Sequence, residues 1–369
     1  SSTLTWEKVT TLDLGLDARF FNDALGVTFD WYNRTTSDIL TTANLPATLG
    51  ADAPYENMGT IQTKGWELAI DYRHTFKNGL HFGVTASVAD DKTEVTKWTY
   101  NTKIPSYGAT GWWDKSAYKE GMVLGDIWGL QFDRFLTEDV FNADGSLKAG
   151  LPDQTKVFPA GYQFAPGDVL YKDLDNNGEI VKQTNTNDKG DLSVIGNALP
   201  RLQFGLNLDA AWKGFDISMF FQGVAKRKLW AAGNQVLPGF TTGEPFYKGA
   251  EDYWTPENTD AFYPRPMDYK QSASGNYSVN DRYLLNMAYL RLKTFTVGYS
   301  LPKVWLSKFK VQGLRVYFTG ENLFTIDGVK PAIDPEIGIR TASGKSDQRN
   351  FGRSYPYQKT VSFGIQLSL

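Results

Sequence analysis

Residues 201–223 read RLQFGLNLDAAWKGFDISMFFQG. Leu202, Phe204, Leu206, Leu208 and Ala210 are apolar, and Gln203, Gly205, Asn207 and Asp209 between them are polar or small. After Lys213-Gly214 the alternation resumes with Phe215, Ile217, Met219 and Phe221. Successive side chains of a strand point to opposite faces, so this stretch is two strands joined by a tight turn. One face lies in an apolar medium and the other in water.

The same period recurs on both sides of this hairpin. Upstream it runs through Leu12, Leu14, Leu16, Ala18 and Phe20, then Leu25, Val27, Phe29 and Trp31. It continues through Trp66, Leu68, Ile70 and Tyr72, then Leu80, Phe82, Val84, Ala86 and Val88. Downstream it returns at Phe295, Val297, Tyr299 and Leu301, at Leu314, Val316 and Phe318, and at Val361, Phe363, Ile365 and Leu367. A soluble β-sandwich also alternates. Three features favour a membrane instead. The runs have about the 9–11 residues that a tilted membrane strand needs. Aromatics gather at run ends (Phe20 and Phe21, Trp31 and Tyr32, Tyr72 and Phe76, Trp212), where an interfacial girdle would sit. Tight turns at 22–24, 77–79 and 213–214 alternate with loops of tens of residues, the asymmetry of outer-membrane barrels.

Composition is compatible with that reading and excludes others. No run approaches the roughly 18 apolar residues of a membrane helix, and no secretory leader is visible in the opening SSTLTWEKV. The average hydropathy looks soluble, but alternating strands always average this way. The chain has no cysteine, which removes disulfides, thiolate metal sites and thiol nucleophiles together and suits passage through an oxidising periplasm. A net charge of −3 gives no basic field for nucleic acid.

The expected fold class is all-β, a transmembrane antiparallel barrel wall of about nine strands. If the short turns are periplasmic, 1–90 holds four membrane strands, 91–200 is a long structured extracellular region, and 201–369 holds five more strands with long extracellular loops. Ile127 to Phe135 alternates but has no partner crossing, so it falls in the outer region. Nine is an odd count, and no plug is apparent. The chain is therefore expected to be a portion of a larger barrel, its plug lying elsewhere.

At this level of detail the sequence resembles the C-terminal part of the SusC/RagA family of TonB-dependent outer-membrane transporters of Bacteroidota. The resemblance is carried by LTWEKVTTLDLGLDARFF (4–21), NMGTIQTKGWEL (57–68), PGDVLYKDLDNNGEI (166–180), the segment 195–223, DYWTPENTDAFYPR (252–265), YLRLKTFTVGYSLP (289–302), LRVYFTGENLF (314–324), DPE (334–336) and YPYQKTVSFGIQLSL (355–369). The family usually closes on an aromatic residue, whereas this chain has Leu369. The resemblance implies a plugged barrel of about 22 strands. It further implies energy from TonB through a segment absent from this chain, a SusD-like lipoprotein capping the barrel, and import of oligosaccharides or, in some members, peptides.

Residues 173–180 read DLDNNGEI. Asp173, Asp175 and Asn177 stand at positions one, three and five of a calcium loop, Gly178 at six allows the turn, and Glu179 at seven offers a backbone carbonyl. Position twelve is Thr184 rather than the bidentate acid, so Asp188 or Asp191 would have to close the shell. The competing reading is an Asx-rich turn held by its own hydrogen bonds. Trp112, Trp113 and Trp230, in the long loops, are candidates to stack on sugar rings; packing of the loops themselves is the competing role for each. Catalysis has no candidate: His74 and His81 lack metal-pair spacing, and no HExxH, GxSxG or P-loop occurs. The charges Asp17, Arg19, Glu67, Asp71 and Arg73 are expected to form a wet wall. The rival functions are a passive porin and a soluble carbohydrate-binding β protein.

Overall fold

Alternation becomes nine long strands: β1 (Lys8–Phe20), β2 (Leu25–Thr42), β3 (Tyr55–Thr75), β4 (His81–Trp98), β5 (Arg201–Trp212), β6 (Phe215–Lys226), β7 (Tyr289–Ser300), β8 (Gly313–Asp327) and β9 (Thr360–Ser368). The structure is a computed structural model. It describes residues 4–42, 54–99, 118–182, 189–231, 233–239, 246–267, 275–307, 311–330, 333–336, 341–342, 345–346, 355 and 357–368. The nine strands form one sheet in sequence order, every neighbouring pair antiparallel. This is the wall that the period of two predicts.

Register keeps the two faces chemically separate across the sheet. One row of directly paired residues runs Phe82, Ala210, Ile217, Val297, Phe318 and Phe363 from β4 to β9. The adjacent row, one residue along each strand, runs Gly83, Asp209, Ser218, Thr296, Thr319 and Ser362. A slip of one residue at any pair would place an apolar row against a polar one, so the pattern fixes the register. The apolar face is open to its surroundings: Phe29, Ile70 and Val316 on inner strands are 38–40% exposed, and Phe363 on the edge strand β9 is 84% exposed. Apolar surface this continuous marks contact with lipid or a partner.

Three connections close in two to five residues, all at one end of the strands. Phe21, Asn22 and Asp23 turn with positive φ between β1 and β2. Lys213 and Gly214, both with positive φ, close β5 onto β6 so that Trp212 pairs with Phe215, the two-residue geometry that suits strand twist. Residues 76–80 join β3 to β4, and the link from β7 to β8 carries the one-turn helix α1 (Lys303–Leu306). At the opposite end the link from β2 to β3 matches the one from β7 to β8 at 12 residues, and the other three are longer. Strands β2, β3 and β4 also continue past the expected membrane crossing: β3 has 21 residues, twice the need of about 9–11. β4 runs on to Trp98, beyond the expected boundary at 90. The upper half of β3 was not evident in sequence because Glu56, Asn57, Gln62, Thr63 and Lys64 load both phases with polar residues.

Ile127 to Phe135 is outside the wall, as expected. It forms two short strands, Asp126–Gly129 and Phe132–Phe135, which pair with Ser193–Asn197 and Val169–Tyr171 in separate small sheets. These belong to a body with its own hydrophobic clusters. One joins Leu130, Phe135, Val169, Leu170, Tyr171 and Ile180 to Trp254 and Ala261. Another joins Ile127 and Ala198 to Leu229, Trp230, Leu237, Tyr263, Tyr283 and Met287. The link between β4 and β5 and the link between β6 and β7 therefore fold as one packed unit on the long-loop side.

On the polar face, two glycines make room for arginines that reach across a strand. Arg315 on β8 passes over Gly298 on β7 to donate to Asp216 on β6, at 3.0 and 2.5 Å. A Cβ at Gly298 would collide with the guanidinium. Arg19 on β1 likewise crosses Gly26 on β2 to reach Asp71 on β3 at 2.7 Å. Each bridge ties together three consecutive strands. Gly298→Val and Arg315→Ala should each lower the stability of the wall by about 1 kcal/mol, the scale of a water-facing ion pair. The double variant should be no worse than either single one, measured as the temperature at which the heat-modifiable gel species is lost. Additive losses would contradict the shared bridge.

Candidate functional site

Asp17, Arg19, Glu67, Asp71 and Arg73 stand in the polar phase of their strands, and Arg19 pairs with Asp71. Asp17 accepts a hydrogen bond from the Thr28 hydroxyl at 2.7 Å. A trough of about 520 Å³ lies along this face, lined by Asp30, Glu67, Thr85, Ser87, Asn207 and Gln222 among others. Arg201 holds Asp90 through two parallel hydrogen bonds of 2.5 and 2.6 Å, fixing β5 to β4 where the chain returns from the packed body on the long-loop side. The DPE segment is bound to the same face of β7. Arg291 donates to Asp334 at 2.7 Å and Lys293 to Glu336 at 2.7 Å, while the Tyr357 ring lies against both cations. These side chains bind water and polar surfaces; nothing among them pairs a nucleophile with a base.

The histidines are structural. His74 stands between the rings of Tyr72 and Phe76, edge-on to Phe76 at 4.5 Å, as expected of a residue in an aromatic girdle. His81 faces Asp209 across the polar side at 3.5 Å.

The acidic loop is built by a buried strand and a run of Asx residues. Val169–Tyr171 is fully enclosed and delivers the chain at Asp173 to the surface of the packed body. Asn176 and Gly178 take positive φ and reverse it. Asp173 then accepts from the Gly178 N–H at 2.8 Å and the Asn177 N–H at 3.3 Å. Asp175 accepts from the backbone N–H and side-chain amide of Asn177, and the Asn177 carbonyl oxygen takes the Glu179 N–H. Asp191 reaches in from the far end of the loop, wholly buried. It accepts from the Leu174 N–H at 2.7 Å and the Val181 N–H at 2.8 Å. Asp173, Asp175 and Asp191 each bring one carboxylate oxygen within 4.8 Å of the others. The Glu179 carboxylate turns away to Lys156 at 2.5 Å.

Electrostatics in the loop match this crowding. Burial raises the Asp191 carboxyl above its ordinary value, and the charges of Asp175 and Asp173 raise it further. Desolvation also pushes Asp173 upward, but the N–H groups of Gly178, Asn176 and Asn177 outweigh it, so its pKa falls below the ordinary value. Three acids with oxygens this close together are the donor type that a hard cation takes; the Asx hydrogen bonds anticipated as the competing reading are present at the same time.

Among the aromatic candidates, Trp230 is 3% exposed and packs in the core with Leu229, Ala231 and Leu237. Its ring therefore has apolar side chains around it rather than an open face. Trp112 and Trp113 lie outside the described residues. The sequence reading missed the buried polar centre of the packed body. Asp168, 0% exposed, accepts from the Tyr162 hydroxyl, Arg265, the Asn276 amide and the Ala165 N–H. It binds 162–168 to 265 and 276 across about a hundred residues of chain, and nothing in the local sequence announces it.

Known proteins agree with this geometry. The family model described as TonB dependent receptor-like, beta-barrel, matches residues 1–323. TonB-dependent receptor P3 of Formosa agariphila is 28% identical over 376 residues, covering 99% of this chain and 34% of the relative. TonB-dependent receptor SusC of Bacteroides thetaiotaomicron is 24% identical over 377 residues, covering 99% of this chain and 32% of the relative. A solved structure described as the RagAB peptide transporter superposes with a TM-score of 0.67 at 21% identity, covering 99% of this chain and 35% of that one. The chain thus spans about a third of the length of the relatives it matches.

Proposed function

Because the chain belongs to the TonB dependent receptor-like β-barrel family, we propose that it forms part of the wall of an active importer for oligosaccharides. The chain is an outer-membrane barrel portion related to SusC and RagA, and its family consists of transporters rather than enzymes. The observation that carries the import reading is the wall itself: an apolar face for lipid, a charge-paired face for a wet lumen, and a packed body on the long-loop side only. Strands beyond those described here complete the barrel at β1 and β9, which pair on one side each among the described residues. In this reading 1–90 and 201–369 supply membrane strands and 91–200 lies outside the cell. A SusD-like lipoprotein covers the outer body, and TonB supplies energy through a plug in the rest of the protein. Trp112 and Trp113 supply sugar-stacking rings, and Trp230 supports the body from within.

A peptide substrate is the second reading, favoured by the solved relative of the same fold being described as a peptide transporter. Uptake of labelled oligosaccharides by cells expressing the complete protein should stop when TonB is deleted, and the protein should co-purify with a surface lipoprotein from detergent extracts. Uptake that persists without TonB would make it a porin, and extraction without detergent would contradict a membrane wall.

The acidic loop takes Ca²⁺ in this account, with Asp173, Asp175 and Asp191 as carboxylate ligands and Asn177 and the Glu179 backbone as lesser contributors. Calcium at millimolar concentration should raise the melting temperature of the outer body above its value in chelator, and Asp175→Asn should reduce that gain. Identical melting with calcium and with chelator would overturn the assignment.

A further inference from the structure

The connection from β6 to β7 forms a cavity of about 620 Å³, lined by the rings of Phe246, Tyr247, Tyr253, Tyr263 and Tyr277, by three prolines, and by Lys248, Ala250 and Glu251. Phe246 is 58% exposed, and Tyr247 and Tyr253 are each more than a third exposed, so rings face solvent inside a concave surface. The volume falls in the range of small-ligand pockets, about 300–1,000 Å³.

The walls are held in place. Tyr263 is buried, donates its hydroxyl proton to the Val236 carbonyl at 3.0 Å, and stacks on Tyr283 with 11° between ring planes. The Tyr263 N–H bonds the Asp252 carbonyl, and the Trp254 N–H bonds the Tyr263 carbonyl. The segment bearing Tyr253 is thereby fastened on both sides of that residue to the segment bearing Tyr263, Pro264 and Pro266.

The lining selects a chemical class. Pro238, Pro264 and Pro266 have no N–H, so these parts of the wall cannot donate to the main chain of an extended peptide, the usual source of affinity in strand-like peptide capture. Lys248 and Glu251 bring one charge of each sign, so the cavity carries no net field for an anion or a cation. What it offers is aromatic face plus one strong donor and one strong acceptor. A pyranose has the complementary form. Its axial C–H bonds make one face apolar and slightly positive, which meets the negative face of an aromatic ring, while its equatorial hydroxyls can both donate and accept.

We propose that this cavity is a subsite for a neutral pyranose ring, stacked on Phe246 and Tyr253 with its hydroxyls toward Lys248 and Glu251. The inference rests on the oligosaccharide reading of function and names where one ring of the substrate would sit.

The test uses the complete transporter purified in detergent, with neutral hexasaccharides of glucan, xylan, mannan and galactan as probes and a tryptic peptide pool as the contrast. At least one hexasaccharide should bind in a calorimetric titration, with an affinity that added salt leaves unchanged. Phe246→Ala and Tyr253→Ala should each weaken it roughly tenfold, about 1.4 kcal/mol, while Tyr253→Phe, which keeps the ring, should bind as the parent does. Phe246 is 58% exposed, so Phe246→Ala should keep the parent melting temperature; Tyr253 is 40% exposed, and Tyr253→Phe controls for the packing of its ring. Sugar binding unchanged in both alanine variants overturns the subsite and leaves the import reading standing. Binding of peptides and of no hexasaccharide overturns the subsite and the oligosaccharide reading together. Binding of neither overturns the subsite, and the import reading is then decided by TonB-dependent uptake alone.

Discussion

A strand in hydrocarbon must find a hydrogen-bonding partner on each side, because lipid offers none and each unpaired backbone group costs several kcal/mol. Strands β2 to β8 meet this condition within the chain. β1 and β9 meet it on one side only, among the described residues. Their apolar faces are also bare, with Leu14, Leu16, Phe363 and Ile365 all more than half exposed. An open, flat, apolar edge in water is an aggregation site; in an outer membrane it is a seam awaiting further strands. Partnership with further strands is thus a requirement of the backbone, and the relatives are about three times as long as this chain.

With lipid on one side, the other side of the wall is free to be polar. Two of its arginines, Arg19 and Arg315, are matched to carboxylates two strands away through gaps left by glycine, so these charges are internally paired. The long-loop side has a different organisation. There the chain leaves the sheet and builds a second core from distant segments, pinned by the buried Asp168. A buried carboxylate needs its hydrogen bonds, so Asp168 holds 162–168, 265 and 276 in one arrangement. Asp168 directly precedes the strand that leads into the acidic loop, and its partner Arg265 sits between Pro264 and Pro266 of the aromatic cavity, so one polar centre adjoins both.

The wall was legible because its signal is local and repeated: Leu206 and Asn207 alone declare opposite faces, and nine such runs agree. The acidic loop was legible for the same reason, since Asp173, Asp175 and Gly178 lie within one turn. Legibility failed where the decisive partner is far away in sequence. Nothing near Glu179 indicates that its carboxylate meets Lys156, and nothing near Trp230 indicates that Ile127, Tyr263 and Met287 share its cluster. Aromatic residues in loops are ambiguous in this way, because stacking on a ligand and packing in a core use the same side chains. Phe246 and Trp230 look alike in the sequence and differ only in what the fold puts beside them.

The central claim is that this wall crosses the outer membrane with its short turns inside and its packed body outside. These 369 residues have no cysteine, so once any cysteine elsewhere in the complete protein is replaced by serine, single cysteines can report this at two exposed lysines, Lys148 in the packed body and Lys77 in the turn between β3 and β4. A membrane-impermeant maleimide applied to intact cells should label Lys148→Cys at once and Lys77→Cys only after the outer membrane is permeabilised. Labelling of Lys77→Cys on intact cells, or protection of Lys148→Cys, would contradict the account.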